Sequence, residues 1–156
     1  MTQIHWTNPI SDVFSNGADW SGGVVPGASD DAILDASGGA FTVTSSVSET
    51  VSSIQTAANA TLAITGGAFT ATGGTGAGVN AGLTSVVNGG TFSVGGVIDN
   101  AGTIEALGQI GQTSPEIAIG IGGGALSGGG TIALAAATGT GGNTGTRSCT
   151  ARRKPA

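Results

Sequence analysis

The chain has 156 residues, of which 31 are glycine, 8% are charged and 4% are aromatic, so it is one domain with few large side chains for a compact core. All four basic residues lie in the last ten positions, and residues 1–146 carry nine acids and no Lys or Arg: the basic residues are Arg147, Arg152, Arg153 and Lys154. A surface without cations cannot neutralise phosphates, which argues against nucleic acid and anionic membrane as partners.

The start of the chain and its one cysteine bear on export. Residues 1–6 lack the basic and apolar regions of a signal peptide, so any export signal is not expected at the start. Cys149 stands alone, which excludes a disulfide framework within the chain. No run of 18 apolar residues occurs, so we expect no transmembrane helix. The acidic charge is typical of a secreted surface protein.

Residues 1–36 differ in composition from all that follow. They hold both tryptophans, Trp6 and Trp20, together with His5, Phe14 and five of the nine acids. A stack of repeats needs an atypical terminal unit to cover its first core layer, so we interpret these residues as an N-terminal cap. A platform on which a ligand stacks is the alternative. The first short strand is expected after residue 29.

Between residues 37 and 136 one five-residue sequence motif recurs: a glycine, a small residue, a large apolar residue, a polar residue and a smaller apolar one. It stands at Gly39–Val43, Gly67–Ala71, Gly90–Val94, Gly102–Ala106 and Gly130–Leu134. Apolar positions two apart predict strands with one buried face. Phe92, Val94, Ile98 and Ile104 are therefore expected to point inward.

The distances between apolar residues predict how these strands stack. Phe41 precedes Leu62 by 21 residues, Phe69 precedes Phe92 by 23, and Ile104 precedes Ile132 by 28. A circuit of this length with several short strands indicates an all-β fold, a parallel β-helix or β-solenoid, incomplete at its C-terminal end. Further strands are predicted at Thr61–Thr65, Leu83–Val87, Ile117–Ile121 and Leu126–Leu134. Residues 71–81 are predicted to be a loose loop, and Asn88 and Asn100 to be turn corners.

Residues 137–156 break the pattern. Thr138–Thr146 is a low-complexity linker, and the last ten residues hold the only Cys, Arg and Lys. We interpret this segment as a disordered tail, and as the frameshifted or truncated end of a longer repeat protein. An ordinary basic tail is the alternative.

Two groups of acids are candidates for chemistry. Asp30, Asp31 and Asp35 could bind Ca²⁺ through oxygen, but no calcium-loop spacing is present and a solvated turn is favoured. Asp99 and Glu105 could form the pair of acids that glycoside hydrolysis requires. Glu105 occupies an outward position without a nearby aromatic residue, so both acids are expected to face solvent.

The remaining motifs indicate no reaction. His5 is the only histidine, and without a Gly-x-Ser-x-Gly turn it does not suggest a catalytic triad. The glycine runs Gly73–Gly78 and Gly120–Gly130 are predicted to be turns, because no Lys-Ser/Thr follows them. Two Thr-x-Thr pairs resemble those of ice-binding β-solenoids but are too few for an array; they are Thr42 with Thr44 and Thr70 with Thr72. We predict no catalytic, cofactor-binding or metal site, and no cofactor.

The passage from Trp6 to Leu134 resembles large bacterial β-strand-repeat surface proteins, which are similar to autotransporter passengers and filamentous adhesins. The residues that carry the resemblance are Asp19–Leu34, Ile98–Ala106 and Leu126–Ile132. The resemblance implies a right-handed parallel β-helix, export to the cell surface, and adhesion or spacing instead of catalysis. This chain is expected to depart from such proteins by its short length and by lacking both a translocating β-barrel and a signal peptide.

These observations favour a non-catalytic structural or adhesive module of a secreted or cell-surface protein. Its expected partners are a host surface or a polysaccharide, with self-association through the open end of the β-helix. A carbohydrate-active β-helix enzyme, such as a polysaccharide lyase or hydrolase, is the alternative, although lyases rely on basic residues that 1–146 lack. A non-functional truncated remnant is the third reading.

Overall fold

The computed structural model describes residues 1–120 and 123–135 of the chain. The predicted tail at 137–156, with Cys149 and the four basic residues, lies outside these residues, as do residue 136 and the predicted strand end Ile121. The fold is all-β, with 50% strand and 5% helix, as predicted. Two 3₁₀ turns at Gly17–Asp19 and Ser21–Gly23 are the helical segments of the described part.

The described residues contain fifteen short strands. They are β1 (Thr2–His5), β2 (Asp12–Val13), β3 (Asp30–Leu34), β4 (Phe41–Ser45), β5 (Glu49–Val51), β6 (Ser53–Thr56), β7 (Ala60–Ile64), β8 (Ala68–Ala71), β9 (Leu83–Val87), β10 (Thr91–Val94), β11 (Val97–Asp99), β12 (Thr103–Leu107), β13 (Glu116–Ile119), β14 (Ala125–Ser127) and β15 (Thr131–Ala135). The first two precede residue 29, so the prediction that strands begin there is wrong. Each of these two strands has a single apolar residue, Ile4 or Val13, so neither shows an alternation of apolar and polar residues.

The strands form sheets in which every strand pair is parallel. A six-stranded sheet has the order β15-β12-β9-β7-β4-β2, and a four-stranded sheet the order β13-β10-β8-β5. The third side is built from β1-β3-β6 and β11-β14. Parallel bridges from Thr56 through Asn80 to Asn100 join its two parts. The prediction of parallel stacked strands is therefore confirmed.

From β4 onward the chain visits the three sides in a constant order. It passes from the six-stranded sheet to the four-stranded sheet, then along the third side, and returns to the six-stranded sheet one layer further on. Leu62 and Phe69, and likewise Ile98 and Ile104, thus lie on successive sides. Residues before β4 depart from this order, because β2 is followed by the two 3₁₀ turns and not by a strand of the four-stranded sheet.

The strand register tests the predicted stacking directly. Phe92 pairs with Phe69, and Ile132 pairs with Ile104, as predicted. The predicted pair of Phe41 and Leu62 is wrong, because Phe41 pairs with Ala60, and Leu62 pairs instead with Val43. The circuit there is 19 residues long, two shorter than the spacing of the largest side chains suggests. A small alanine therefore occupies the inward position above a phenylalanine.

The core is a column of inward side chains that begins in an aromatic cluster. This cluster, defined as Trp6, Phe14, Trp20 and Phe69, makes three edge-to-face contacts with ring centroids 4.9, 5.0 and 5.2 Å apart. The rings are each 1% exposed or less. The residues predicted to point inward, Phe92, Val94, Ile98 and Ile104, are buried. The aromatic cluster thus joins residues 1–36 to the repeated strands through Phe69.

The segment at 71–81 is ordered by its contacts, contrary to the prediction of a loose loop. Gly74 forms a parallel bridge with Val97, and the Thr75 hydroxyl accepts a hydrogen bond of 3.0 Å from the Asp99 backbone N–H. Thr75 is buried. The glycine run at 120–130 likewise contains β14 among its described residues, so it is not made of turns alone. Neither segment could be recognised from the glycine-rich sequence, because the hydrogen bonds that pair them come from backbone groups and leave no side-chain pattern.

A buried set of polar side chains replaces apolar ones along one corner. This polar ladder consists of Thr56, Asn80, Thr84 and Asn100, each at most 4% exposed. Asn80 accepts hydrogen bonds from Thr56 and Thr84 and donates to the Asn100 side-chain oxygen at 2.7 Å. Asn100 donates to the Thr131 carbonyl at 3.2 Å. Asn100 thus lies at a corner, as predicted, with its side chain in the polar ladder, whereas Asn88, the other predicted corner, has a left-handed backbone with φ 53°.

Candidate functional site

A shallow groove of about 490 Å³ lies on the surface of the described residues. It crosses the starts of β4, β7, β9 and β12 on the outer side of the six-stranded sheet. Thr61, Leu83 and Thr103, which are neighbours in the strand register, form one wall. Alanines and glycines form most of the remaining lining. Because the lining comes from four neighbouring strands, the groove runs along the stacking direction.

The groove exists because its floor is backbone. A Cβ atom on Gly82 would overlap the carbonyl oxygens of Ala57 and Ala60, and one on Gly102 would overlap the Gly82 carbonyl oxygen. On Gly130, a Cβ would overlap the Gly102 carbonyl oxygen. We call Gly82, Gly102 and Gly130 the corner glycines. Only glycine permits such close approach of successive layers, and the missing side chains leave the corner concave.

The groove offers hydrogen bonds and one carboxylate. Glu105 is its only titratable side chain, half-buried and in register with Ser85. The hydroxyls of Thr61 and Thr103 supply donors and acceptors, and the Asn59 amide already donates to the carbonyls of Ala36 and Gly39. A site with these groups can hold an extended polar chain. General acid–base catalysis by two carboxylates needs a second acid, which the lining lacks.

Asp99 and Glu105 do not share a face. Asp99 lies on β11 of the third side, and Glu105 lies on β12 of the six-stranded sheet. Asp99 is exposed, as predicted, whereas Glu105 is half-buried in the groove and not fully solvent-facing. Consecutive strands of this chain belong to different sides, so six residues of separation place the two carboxylates around a corner from each other.

The acids of residues 30–35 are each occupied by a different partner. Asp30 accepts a hydrogen bond of 3.0 Å from the Gly27 backbone N–H, and Asp31 accepts one of 2.8 Å from the Ser53 hydroxyl. Asp35 lies 3.0 Å from Nδ1 of His5, with both side chains more than 40% exposed. In residues 1–120 and 123–135 no cluster of three or more His, Cys, Asp and Glu side chains could hold a metal ion. The six-residue span therefore does not gather three ligands.

A pair of carboxylates near the aromatic cluster was missed by the sequence analysis. Asn16 donates to both, with Nδ2 at 2.9 Å from Asp12 and 2.8 Å from Asp19. Asp19 is 7% exposed, whereas Asp12 lies on the edge strand β2. The Asn16-Gly17 turn signal was the available clue, since it predicts a tight turn that brings residues 12 and 19 together.

The two carboxylates of this pair have opposite pKa shifts. Burial raises the pKa of Asp19 above its ordinary value, and the hydrogen bond to Asp12 and the charge of Asp12 raise it further. Hydrogen bonds from the Asn16 side chain and the Val13 backbone lower the pKa of Asp12. A proton is therefore held more readily by Asp19 than by Asp12.

Neither the aromatic residues nor the threonine pairs present a binding face. The rings of Trp6 and Trp20 are buried against each other and against Phe14, which leaves no flat surface for a ligand to stack on. Thr42 and Thr44 lie on the six-stranded sheet, and Thr70 lies on the four-stranded sheet. The pairs are thus on different sides and form no common array.

The comparisons with known proteins place no constraint on these features. The chain matches no protein-family model, no curated protein and no solved structure. Its described helical segments are too short to cross a membrane.

Proposed function

We propose that the chain is a right-handed parallel β-helix that serves as a structural or adhesive module of a secreted or cell-surface bacterial repeat protein. The observation that carries this proposal is the constant order in which the chain visits three sides, each built of parallel strands. Each added layer lengthens such a stack by about 4.8 Å. A stack of this kind suits a spacer that exposes the outer faces of its strands for binding. Residues 1–36 act as its N-terminal cap and residues 37–136 as its repeats.

The groove supports an adhesive role with a polysaccharide or another extended polar chain as partner. Its lining includes two of the corner glycines, Gly82 and Gly102, and its wall alternates threonine hydroxyls with Leu83. An extended chain that lies along the stack meets these groups at the spacing of the layers. The acidity of residues 1–146 favours neutral over acidic polysaccharides, because like charges repel.

The test measures binding of the full chain to neutral and acidic polysaccharides and to host-cell surfaces. Thr61→Gln places a longer neutral side chain in the groove, and Thr70→Gln makes the same change on the outer face of β8, outside it. We expect Thr61→Gln to weaken polysaccharide binding about tenfold, or 1.4 kcal/mol, and Thr70→Gln to leave it unchanged. Equal effects of the two variants would show that the groove is not the binding surface.

The same samples distinguish the module from an enzyme. We expect no new reducing or unsaturated ends after incubation with the polysaccharides. Release of such ends, and its loss in Glu105→Gln, would replace the adhesive proposal with a carbohydrate-active one. A random-coil circular dichroism spectrum of the full chain would contradict the β-helix itself and favour a non-functional remnant.

A further inference from the structure

Among residues 1–120 and 123–135, the final layer of the core has apolar neighbours on one side only. Five inward side chains form it, and each pairs with a residue of the layer before: Ile117 with Phe92, Ile119 with Val94, Leu126 with Ile98, Ile132 with Ile104 and Leu134 with Ala106. Leu126 is 45% exposed and Leu134 is 37% exposed. Their partners Ile98 and Ala106 are 1% and 7% exposed. We call these five residues the C-terminal end face.

The backbone at the same end is also unmatched within the described residues. Strands β13, β14 and β15 each pair with a single neighbour there, so each has one edge of N–H and C=O groups with no strand beside it. The three edges belong to three sides of one stack. A partner that satisfies all of them must itself present three strand edges around an apolar centre.

The opposite end of the molecule is closed. Its inward residues Ile4, Trp6 and Phe14 are 6%, 1% and 0% exposed. Its edge strands β2 and β5 carry the acids Asp12 and Glu49. Docking of this end on the C-terminal end face would set carboxylates against exposed leucines and would match no apolar surface.

We infer that the C-terminal end face binds the C-terminal end face of a second copy of this chain, in a twofold arrangement. The same patch lies on both sides of such an interface, so apolar residues meet apolar residues and strand edges meet strand edges. Glu116 is the one charged residue on the three edge strands, so little charge is buried. The arrangement is closed and stops at two copies. The inference rests on the stacked fold and not on adhesion.

Light scattering after size exclusion of the full chain tests this stoichiometry. Over about 1 to 100 µM, which brackets a micromolar dissociation constant, we expect the mass to rise from one chain to two and then stay constant. A single-chain mass throughout would overturn the inference and indicate that another part of the chain covers the face. Masses that keep growing with concentration would overturn it in favour of open-ended stacking.

Two matched substitutions locate the interface. Leu126→Asp places a charge on the C-terminal end face, and Val97→Asp places one at a residue of similar exposure, 49%, on the adjacent strand β11. We expect Leu126→Asp to reduce dimerisation at least tenfold and Val97→Asp to leave it unchanged, with circular dichroism confirming that both fold. Dimers that persist in Leu126→Asp would contradict the inference.

Cross-linking tests the orientation separately. In a Cys149→Ser background, Ser127→Cys puts a thiol beside the C-terminal end face, and Asn8→Cys puts one near the closed end. A bis-maleimide is expected to yield dimers with Ser127→Cys and none with Asn8→Cys. Dimers with both variants, or with Asn8→Cys alone, would overturn the twofold arrangement.

Discussion

Asn80 and Asn88 show that one residue type serves two purposes in this chain. Asn88 adopts positive φ at a corner, where its short polar side chain lowers the cost of a left-handed backbone. Asn80 lies in the core, where Thr56, Thr84 and Asn100 satisfy its amide. The sequence indicated corner positions for Asn88 and Asn100 but not the buried role of Asn80. That role depends in part on Thr56 and Asn100, which are 24 and 20 positions away and so lie outside local patterns.

Asp19 makes the stability of the fold depend on pH. The pKa of this buried carboxyl is raised, so above its ordinary value of 3.8 the folded chain keeps a proton that the unfolded chain has lost. Stability therefore falls as pH rises from there through the folded-state pKa. Asp12, whose pKa is lowered, acts in the opposite sense, because its contribution is present above 3.8 and is lost as pH falls through the folded-state pKa.

The variant Asp19→Asn separates these two effects. Asparagine does not titrate, so the loss of stability towards neutral pH is expected to be smaller, with Glu49, whose pKa burial also raises, still contributing. Urea denaturation should give a higher midpoint for the variant at pH 7 and a small difference near pH 4. Asp99→Asn, at an exposed carboxylate, is the control and should stay within about 0.5 kcal/mol of the parent at each pH. A variant that keeps the parent's pH dependence would contradict this role.

The strands were the most predictable elements. Alternation of apolar and polar residues identified β4, β7 and β8, because each has one buried face. Strands β5, β6 and β11 are only three or four residues long, so the alternation of apolar and polar residues is not recognised in them. Layer register was predicted where aromatic residues or isoleucines stack on themselves, and it was wrong where Ala60 lies on Phe41. Size of a side chain is thus an unreliable marker of register.

The corner glycines were visible in the sequence as turn residues, but their close contacts were not. Gly102→Ala would force a methyl group into the Gly82 carbonyl, and both backbones would have to move. We expect this substitution to destabilise the fold by about 1–3 kcal/mol, as overpacking does. Thermal or urea denaturation measures the change.

Gly39 provides the matched control, because a Cβ there meets no atom within 4 Å. Gly39→Ala removes freedom from the unfolded chain only, so a neutral effect or a gain of about 0.4–1 kcal/mol is expected. If both variants lost the same stability, the effect would come from helix or strand propensity and not from the contact between layers.

At the scale of the whole molecule, the aromatic cluster and the stack share one core. Phe14 touches both Trp20 and Phe69, so residues 1–36 are packed against β8 and not only attached to it. Composition predicted the special character of residues 1–36. It could not reveal β1 and β2, or the path through two 3₁₀ turns, because these depend on packing around the tryptophans. The groove was also beyond prediction, since the residues that line it come from four different layers.

This shared core predicts cooperative unfolding. Trp6 and Trp20 report on the aromatic cluster by fluorescence, and far-UV circular dichroism reports on all strands. We expect both signals to change at the same urea concentration in the full chain, as in a two-state transition. A fluorescence transition that clearly precedes the loss of circular dichroism would show that residues 1–36 unfold as a separate unit.

The strand register also determines how the length of this protein can change. Asn80 pairs with Asn100, and Leu83 with Thr103, so residues 81–100 make up one full layer. Their deletion would bring Gly102 to the place of Gly82 and set Ile104 above Leu62, where Thr84 now lies. The stack can thus lose or gain a whole circuit while each remaining residue keeps its face. A single inserted residue within a strand would instead turn an apolar side chain outward. Evolution by duplication and loss of entire circuits is therefore the route that this architecture leaves open.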